Sequence, residues 1–131
     1  MPERQDPAWI SRLKCFAAGM TLFEKIIARQ IPADIVYEDE FVLAFRDLHP
    51  QAPVHVLIIP KKPIPRIGEA SLADQALLGH LLLQAQVIAR QPGVFDSGFR
   101  LVMNQGRDGG ESVPHLHCHL LAGRALTWPP G

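Results

Sequence analysis

The sequence lacks several features that would place it in common protein classes. It has only two cysteines in 131 residues, Cys15 and Cys118, which is too few for a disulfide-stapled fold. No apolar run approaches the ~20 residues of a membrane-spanning helix. Residues 16–20 are too short a stretch for a signal-peptide core of roughly 7–15 residues. We therefore expect a reduced, cytoplasmic setting and no membrane partner.

Charge of either sign is not in excess. Thirteen Lys and Arg residues balance thirteen Asp and Glu residues, so the formal net charge at pH 7 is zero. Without a basic field, long nucleic acid is an unfavourable partner, although local geometry can still hold one small phosphorylated ligand. The hydrophobic fraction of 47% is ordinary for a soluble globule, and the length suits a single domain.

Half of the six histidines lie within five residues. His115, His117 and His119 alternate with apolar residues, and side chains at i, i+2 and i+4 share one face of a β-strand. The spacing predicts a strand over residues 113–121 with the three imidazoles on one surface. Like charges so close repel, so some rings must stay neutral near pH 7, and a neutral imidazole is a competent nucleophile. The middle ring, His117, is the predicted nucleophile.

A glycine-rich stretch, NQGRDGGES over residues 104–112, comes directly before the histidines. Its glycines allow successive backbone N–H groups to converge on an anion, and Asn104 and Ser112 add an amide and a hydroxyl. The stretch leads into a strand and not a helix, so it is not a Walker P-loop. Together with the histidines, it indicates phosphorus chemistry.

The rest of the pattern predicts an antiparallel α+β domain with five strands and two helices. Helices are predicted over residues 21–29 and 71–90, each opened by Thr or Ser with an acidic residue three positions later. Short connections favour antiparallel pairing of strands at 35–37, 41–45, 54–59, 99–103 and 113–121. Residues 1–20 are predicted to be a loosely ordered N-terminal extension, and residues 21–131, including the terminal WPPG, to be the domain.

Residues 115–121 match the His-φ-His-φ-His-φ-φ signature of the histidine triad (HIT) family, in which φ is apolar. Residues 21–131 also resemble the Hint branch of that family. The resemblance is carried by TLFEKII at 21–27, PQAPVHVLIIPKK at 50–62, LLGHL at 77–81, the glycine-rich stretch and the terminal WPPG.

This resemblance implies a purine nucleoside phosphoramidase that hydrolyses the P–N bond of adenosine 5′-phosphoramidates, and possible aminoacyl-adenylate substrates, through a covalent nucleotidyl-histidine on His117. It implies that His119 contacts the phosphate and leaving group, that His115 supports the site, and that His55 stands behind the triad. It further implies a homodimer with the sheet continued across the interface, and neither cofactor nor metal. The implied nucleotide-binding residues are Leu22, Phe23, Ile26, Phe45, Asp47, Leu48, Asn104, Gly110, Glu111, Ser112, Val113, His117, His119 and Trp128.

Two positions depart from the branch pattern, and two other functions stay open. Glu111 stands where the branch usually has glutamine, and a carboxylate aimed at phosphate would weaken anion binding. Arg46 replaces a commonly polar or histidine position beside Asp47. The alternatives are a purine nucleotide-binding regulatory or scaffold protein with little turnover, and a zinc-binding protein that uses the histidine cluster, since His-x-His on a strand is a familiar zinc arrangement.

Overall fold

A five-stranded antiparallel sheet organises the computed structural model, which describes residues 20–90 and 94–131. The strand order is β1-β2-β3-β5-β4, so the last strand inserts between β3 and β4. This confirms the predicted α+β class, while continuation of the sheet across a dimer stays a prediction. The strands are β1 (Ile35–Glu38), β2 (Val42–Arg46), β3 (Val54–Pro60), β4 (Phe99–Val102) and β5 (Cys118–Ala122).

The first helix, α1 (Leu22–Ile27), is shorter than predicted. Thr21 caps it as expected, because its hydroxyl accepts a hydrogen bond from Glu24 N at 3.1 Å. The sequence suggested that the helix would continue to about Arg29. Arg29 instead adopts φ 60°, a left-handed conformation that cannot continue a right-handed helix.

The second helix, α2 (Gln75–Arg90), follows a 3₁₀ turn, Leu72–Asp74. The Asp74 carboxylate accepts from Ser71 N at 3.0 Å, which confirms the predicted start. The two helices cover opposite faces of the sheet. Because a helix covers each face, side chains on both faces of the central strands are buried, and residues 42–45 and 56–59 read as continuous apolar runs. The α2 face holds Val42, Ala44, Val56, Ile58, Leu81, Ala85 and Ile88; the α1 face holds Phe23, Ile26, Leu43, Phe45, Leu57 and Ile59.

The predicted strand over residues 113–121 was wrong at its start, since β5 begins only at Cys118. In the β3–β5 ladder Ile58 pairs with Cys118, and the same register continued by two residues would pair Pro60 with Leu116. Proline has no N–H to donate to a ladder. Leu116 N donates instead to Ile64 O in the connector, at 2.7 Å. His115 and His117 therefore lie in an extended segment before the strand.

The predicted N-terminal extension, with Cys15, lies outside the described residues apart from Met20, whose side chain is buried. Within residues 20–90 and 94–131, no helix is long and apolar enough to cross a membrane.

Candidate active site

A cavity of about 310 Å³ opens between α1, the end of β2 and the histidine segment. Its size and apolar walls suit a small planar ligand with a few polar contacts. The structure brings together around it most of the residues that the sequence singled out, namely Leu22, Phe23, Ile26, Phe45, Asp47, Leu48, Ser112, Val113, His117 and His119.

The cavity also has walls that sequence reasoning missed. Residues 31–33, Ile-Pro-Ala, line it, together with Arg46, His49 and Leu57. The only sequence signal was the position of residues 31–33 directly after an amphipathic helix whose apolar side chains were already expected in the pocket. Arg46 was noted only as a departure from the family pattern, and it is also within 3.1 Å of the Asp34 carboxylate.

The backbone fixes the tautomer of His117. Its Nδ1 lies 2.8 Å from the carbonyl oxygen of His115. A carbonyl can only accept, so in the neutral ring Nδ1 carries the proton and Nε2 keeps a free lone pair. The ring is buried and meets Phe23 edge-on, with centroids 5.0 Å apart. His117 is therefore set up as a nucleophile on the cavity wall.

A second chain of hydrogen bonds fixes His119. The Gln51 backbone N–H donates to His55 Nδ1 at 3.0 Å, so the His55 proton lies on Nε2. That Nε2 is 2.9 Å from His119 Nδ1, which must accept. The neutral His119 ring consequently carries its own proton on Nε2. This makes His119 a hydrogen-bond donor, and His55 its support.

His115 does not reach the cavity, contrary to the expectation that all three imidazoles share one surface. It precedes β5, and its Nε2 donates to Pro60 O at 2.7 Å inside the core. Its Nδ1 is buried, and no group among residues 20–90 and 94–131 makes a hydrogen bond to it. Burial lowers the pKa of His115 to about 4, and burial, followed by the repulsion that a protonated neighbouring imidazole would exert, lowers the pKa of His119 to about 4. Burial also lowers the pKa of His55.

The glycine-rich loop is held in shape by bonds within itself. Gly106 and Gly110 have φ of 72° and 75°, in the left-handed region that favours glycine. A Cβ on Gly109 would lie 2.2 Å from the backbone oxygen of Gln105. The Asn104 amide donates to Gly109 O at 2.7 Å. Asn104 and Gly110 thus help to hold the loop in its conformation. Of the predicted loop residues, Ser112 and Val113 line the cavity.

Besides Asn104 and Gly110, two further predicted nucleotide-binding residues lie away from the cavity walls. Glu111 is engaged by Arg66, whose Nε donates to Oε1 at 2.8 Å and whose Nη2 donates to Oε2 at 3.2 Å. This guanidinium, with the Gly106 N–H, lowers the pKa of Glu111 and keeps it ionised. Trp128 is 82% exposed in this chain.

One group of side chains has the composition of a metal site. Ligand atoms of Asp47, His55 and His119 lie within 4.8 Å of one another. The hydrogen bonds argue against a fit, because His55 Nε2 carries a proton while its Nδ1 accepts from Gln51 N. A divalent cation at His55 Nε2 would have to break that bond and reverse the tautomer. As placed, these residues form a hydrogen-bond relay and not a ligand set.

Known proteins share both the sequence and the fold. The HIT domain model matches residues 28–126. An uncharacterized HIT-like protein of Synechococcus elongatus is 61% identical over 111 residues, which are 85% of this chain and 96% of that protein. A 14 kDa zinc-binding protein of Zea mays is 52% identical over 113 residues, 85% of this chain and 88% of that protein.

Solved structures of other proteins show the same fold. A HIT family hydrolase from Legionella pneumophila superposes with a TM-score of 0.84 at 49% identity, covering 86% of this chain and 100% of that one. A histidine triad nucleotide-binding protein from Candida albicans gives a TM-score of 0.72 at 27% identity, covering 84% and 83%. The chain belongs to the HIT family.

Proposed function

We propose that this protein is a purine nucleoside phosphoramidase, which hydrolyses the P–N bond of adenosine 5′-phosphoramidates to AMP and an amine. The observation that carries the proposal is the His117 Nδ1 bond to its own segment's carbonyl, since it leaves Nε2 unprotonated on the wall of a cavity next to a protonated His119 Nε2. The Legionella relative is named a hydrolase and the Candida relative a nucleotide-binding protein, which supports both halves of the proposal.

The cavity offers a place for each part of such a substrate. The purine lies between α1 and β2, against the side chains of Phe23, Ile26 and Phe45. Asp47 accepts from the ribose hydroxyls, since an ionised carboxylate is an acceptor-only group. Its Oδ1 already accepts from His49 N at 2.8 Å, which holds the carboxylate in place. The phosphate lies at Ser112 and Val113, beside the histidines.

The tautomers assign the chemical steps. His117 Nε2 attacks phosphorus, the P–N bond breaks, and the leaving amine takes the proton from His119 Nε2. The product of this step is a nucleotidyl-His117 intermediate and free amine. Water then attacks the same phosphorus, gives one proton to His119 Nε2, and releases AMP with His117 restored. The backbone N–H groups near Ser112 stabilise the charge that develops on the phosphoryl oxygens.

Single-turnover kinetics on an adenosine 5′-phosphoramidate tests the proposal. His117→Ala should slow hydrolysis by at least about a thousandfold, because it removes the nucleophile. His80→Gln is the matched control, since His80 lies on α2 and bonds Asp39 outside the cavity. Wild type quenched during turnover should carry AMP on His117. Undiminished hydrolysis by His117→Ala would overturn the assignment.

A zinc-binding function is the second candidate: the maize relative is named a zinc-binding protein, although a cation at the Asp47, His55 and His119 group would require the His55 tautomer to reverse. It predicts stoichiometric zinc uptake in equilibrium dialysis that His55→Gln abolishes, and activity lost to a chelator. Strong AMP binding with negligible turnover would instead favour a regulatory nucleotide-binding protein.

We also propose that the protein is a homodimer. Helix α2 leaves Leu82, Leu83 and Val87 exposed, and the edge strand β4 exposes Leu101. Apolar side chains on one helix and the neighbouring sheet edge are typical of a surface that a second copy covers. Light scattering coupled to size-exclusion chromatography would report the mass.

A further inference from the structure

An ion pair joins the glycine-rich loop to the connector that follows β3. Arg66 contributes Nε and Nη2 to the two carboxylate oxygens of Glu111, at 2.8 and 3.2 Å. Its remaining nitrogen, Nη1, donates to Glu69 at 2.7 Å. Two-point contact of this kind fixes orientation as well as distance. We call this contact the Arg66–Glu111 pair.

The carboxylate of this pair also reaches the loop backbone. Glu111 Oε1 accepts from Gly106 N at 3.3 Å, and Glu111 N donates to Gly106 O at 3.0 Å. Two residues after Arg66 in the connector, Gly68 N donates to the side-chain oxygen of Gln105 at 2.7 Å. The start and the end of the loop are therefore tied to each other and to the connector through Glu111 and Gln105.

We propose that Arg66 is a positioning residue for the phosphate subsite: it holds the Glu111 carboxylate turned away from the cavity and cancels its charge. The inference rests on the proposed function, because it takes Ser112 and Val113 to be where a phosphate binds. Glu111 directly precedes Ser112, a cavity residue. Without Arg66 its carboxylate would be an anion with no cationic partner next to the bound phosphate, and free to turn toward the cavity.

The proposal predicts unequal effects from the two ends of one ion pair. Arg66→Gln leaves a free carboxylate and should weaken AMP binding roughly fivefold to tenfold, the scale of a like-charge contact at about 4 Å that solvent screens as bulk water does. Glu111→Gln leaves the cation and should keep AMP affinity at least at the wild-type value. The double variant Arg66→Gln/Glu111→Gln should recover most of the loss. If the ion pair only stabilised the fold, Arg66→Gln and Glu111→Gln would lower AMP affinity by the same factor.

Calorimetric titration with AMP and with adenosine measures these effects. Adenosine has no phosphate, so its affinity should stay the same in every variant. Glu69→Gln is the matched control. It removes the exposed carboxylate that Arg66 Nη1 contacts, and it should leave AMP affinity within about twofold of the wild-type value. Melting curves show that each variant is folded.

Equal losses from Arg66→Gln and Glu111→Gln, a parallel loss of adenosine affinity, or no recovery in the double variant would each overturn the proposal. The AMP titration does not need turnover. If wild type binds AMP but cleaves no phosphoramidate, the proposed activity fails while the role of Arg66 is still measured. If wild type binds neither ligand, both proposals fail.

Discussion

Acid should destabilise the fold through His115, and the structure gives the size of the effect. The ring is 1% exposed and donates to Pro60 O, while within the part of the chain that the structure describes its Nδ1 meets no acceptor for a second proton. Burial lowers its pKa from 6.5 to about 4. At pH values between about 4 and 6.5, this ring binds a proton in the unfolded chain but stays neutral in the folded chain. The free energy of unfolding therefore falls as the pH falls through this window.

At about 1.4 kcal/mol per pH unit, this one ring removes about 2 kcal/mol of stability between pH 7 and pH 5, and about 3 kcal/mol by pH 4. His55 and His119, whose pKa values are also lowered, act in the same direction. Two carboxylates act in a lower pH range. Hydrogen bonds from Tyr37 and from the backbone N–H groups of Val42 and Phe41 outweigh burial and lower the pKa of Asp39 to about 2, and Arg66 lowers the pKa of Glu111. Both carboxylates contribute stability above the unfolded carboxyl pKa and lose it only below about pH 4.5. The interval from pH 5 to 7 therefore isolates the histidines.

Urea unfolding of wild type and His115→Gln at pH 7, 6 and 5 measures the effect. Glutamine keeps a donor for Pro60 O but cannot take up a proton, so the variant should lose about 2 kcal/mol less than wild type between pH 7 and 5. His49→Gln replaces an exposed histidine and should lose as much as wild type. The comparison uses the pH dependence and not the absolute stability, so a variant that is weaker at every pH still gives an answer. Parallel curves for wild type and His115→Gln would refute the reasoning.

Two further predictions concern the ligand. Asp47→Asn should lower AMP affinity about tenfold, the scale of hydrogen bonds to a charged group, and should leave 2′,3′-dideoxy-AMP unaffected; equal losses for both nucleotides in calorimetry would remove Asp47 from the ribose site. Gly109→Ala places a methyl 2.2 Å from Gln105 O, so it should lower both the melting temperature and AMP affinity. Gly79→Ala, whose added methyl meets nothing within 4 Å, is its control, and a Gly109→Ala protein that melts and binds like this control would contradict the described loop.

Much of the fold follows from local pattern. Apolar runs bounded by turn residues predicted four strands to within one residue at each end and the fifth with a start five residues too early, and the Thr21 and Ser71 starts located the two described helices. The pattern failed at two ends of elements. The end of α1 depends on a left-handed Arg29, and the start of β5 depends on Pro60, a residue of another strand.

The sequence singled out residues that line one cavity, Asp47 and His119 among them, and their roles in nucleotide binding and catalysis stay predictions. The burial of His115 could not be read from the spacing, because it depends on a carbonyl 55 positions away. The fate of Glu111 depends on Arg66, 45 positions away. Contacts of such long range are set by the tertiary fold, and no local window contains them.

The protons of the site are aligned by main-chain atoms: the N–H of Gln51 and the carbonyls of His115 and Pro60. A side-chain replacement cannot delete a carbonyl, and at position 51 only proline deletes an N–H. Alanine scanning would therefore score position 51 as tolerant, although its backbone N–H fixes the tautomer of His55 and so places the His119 proton on Nε2. These backbone hydrogen bonds depend on the fold and not on side-chain identity, so substitutions of neighbouring side chains leave them intact.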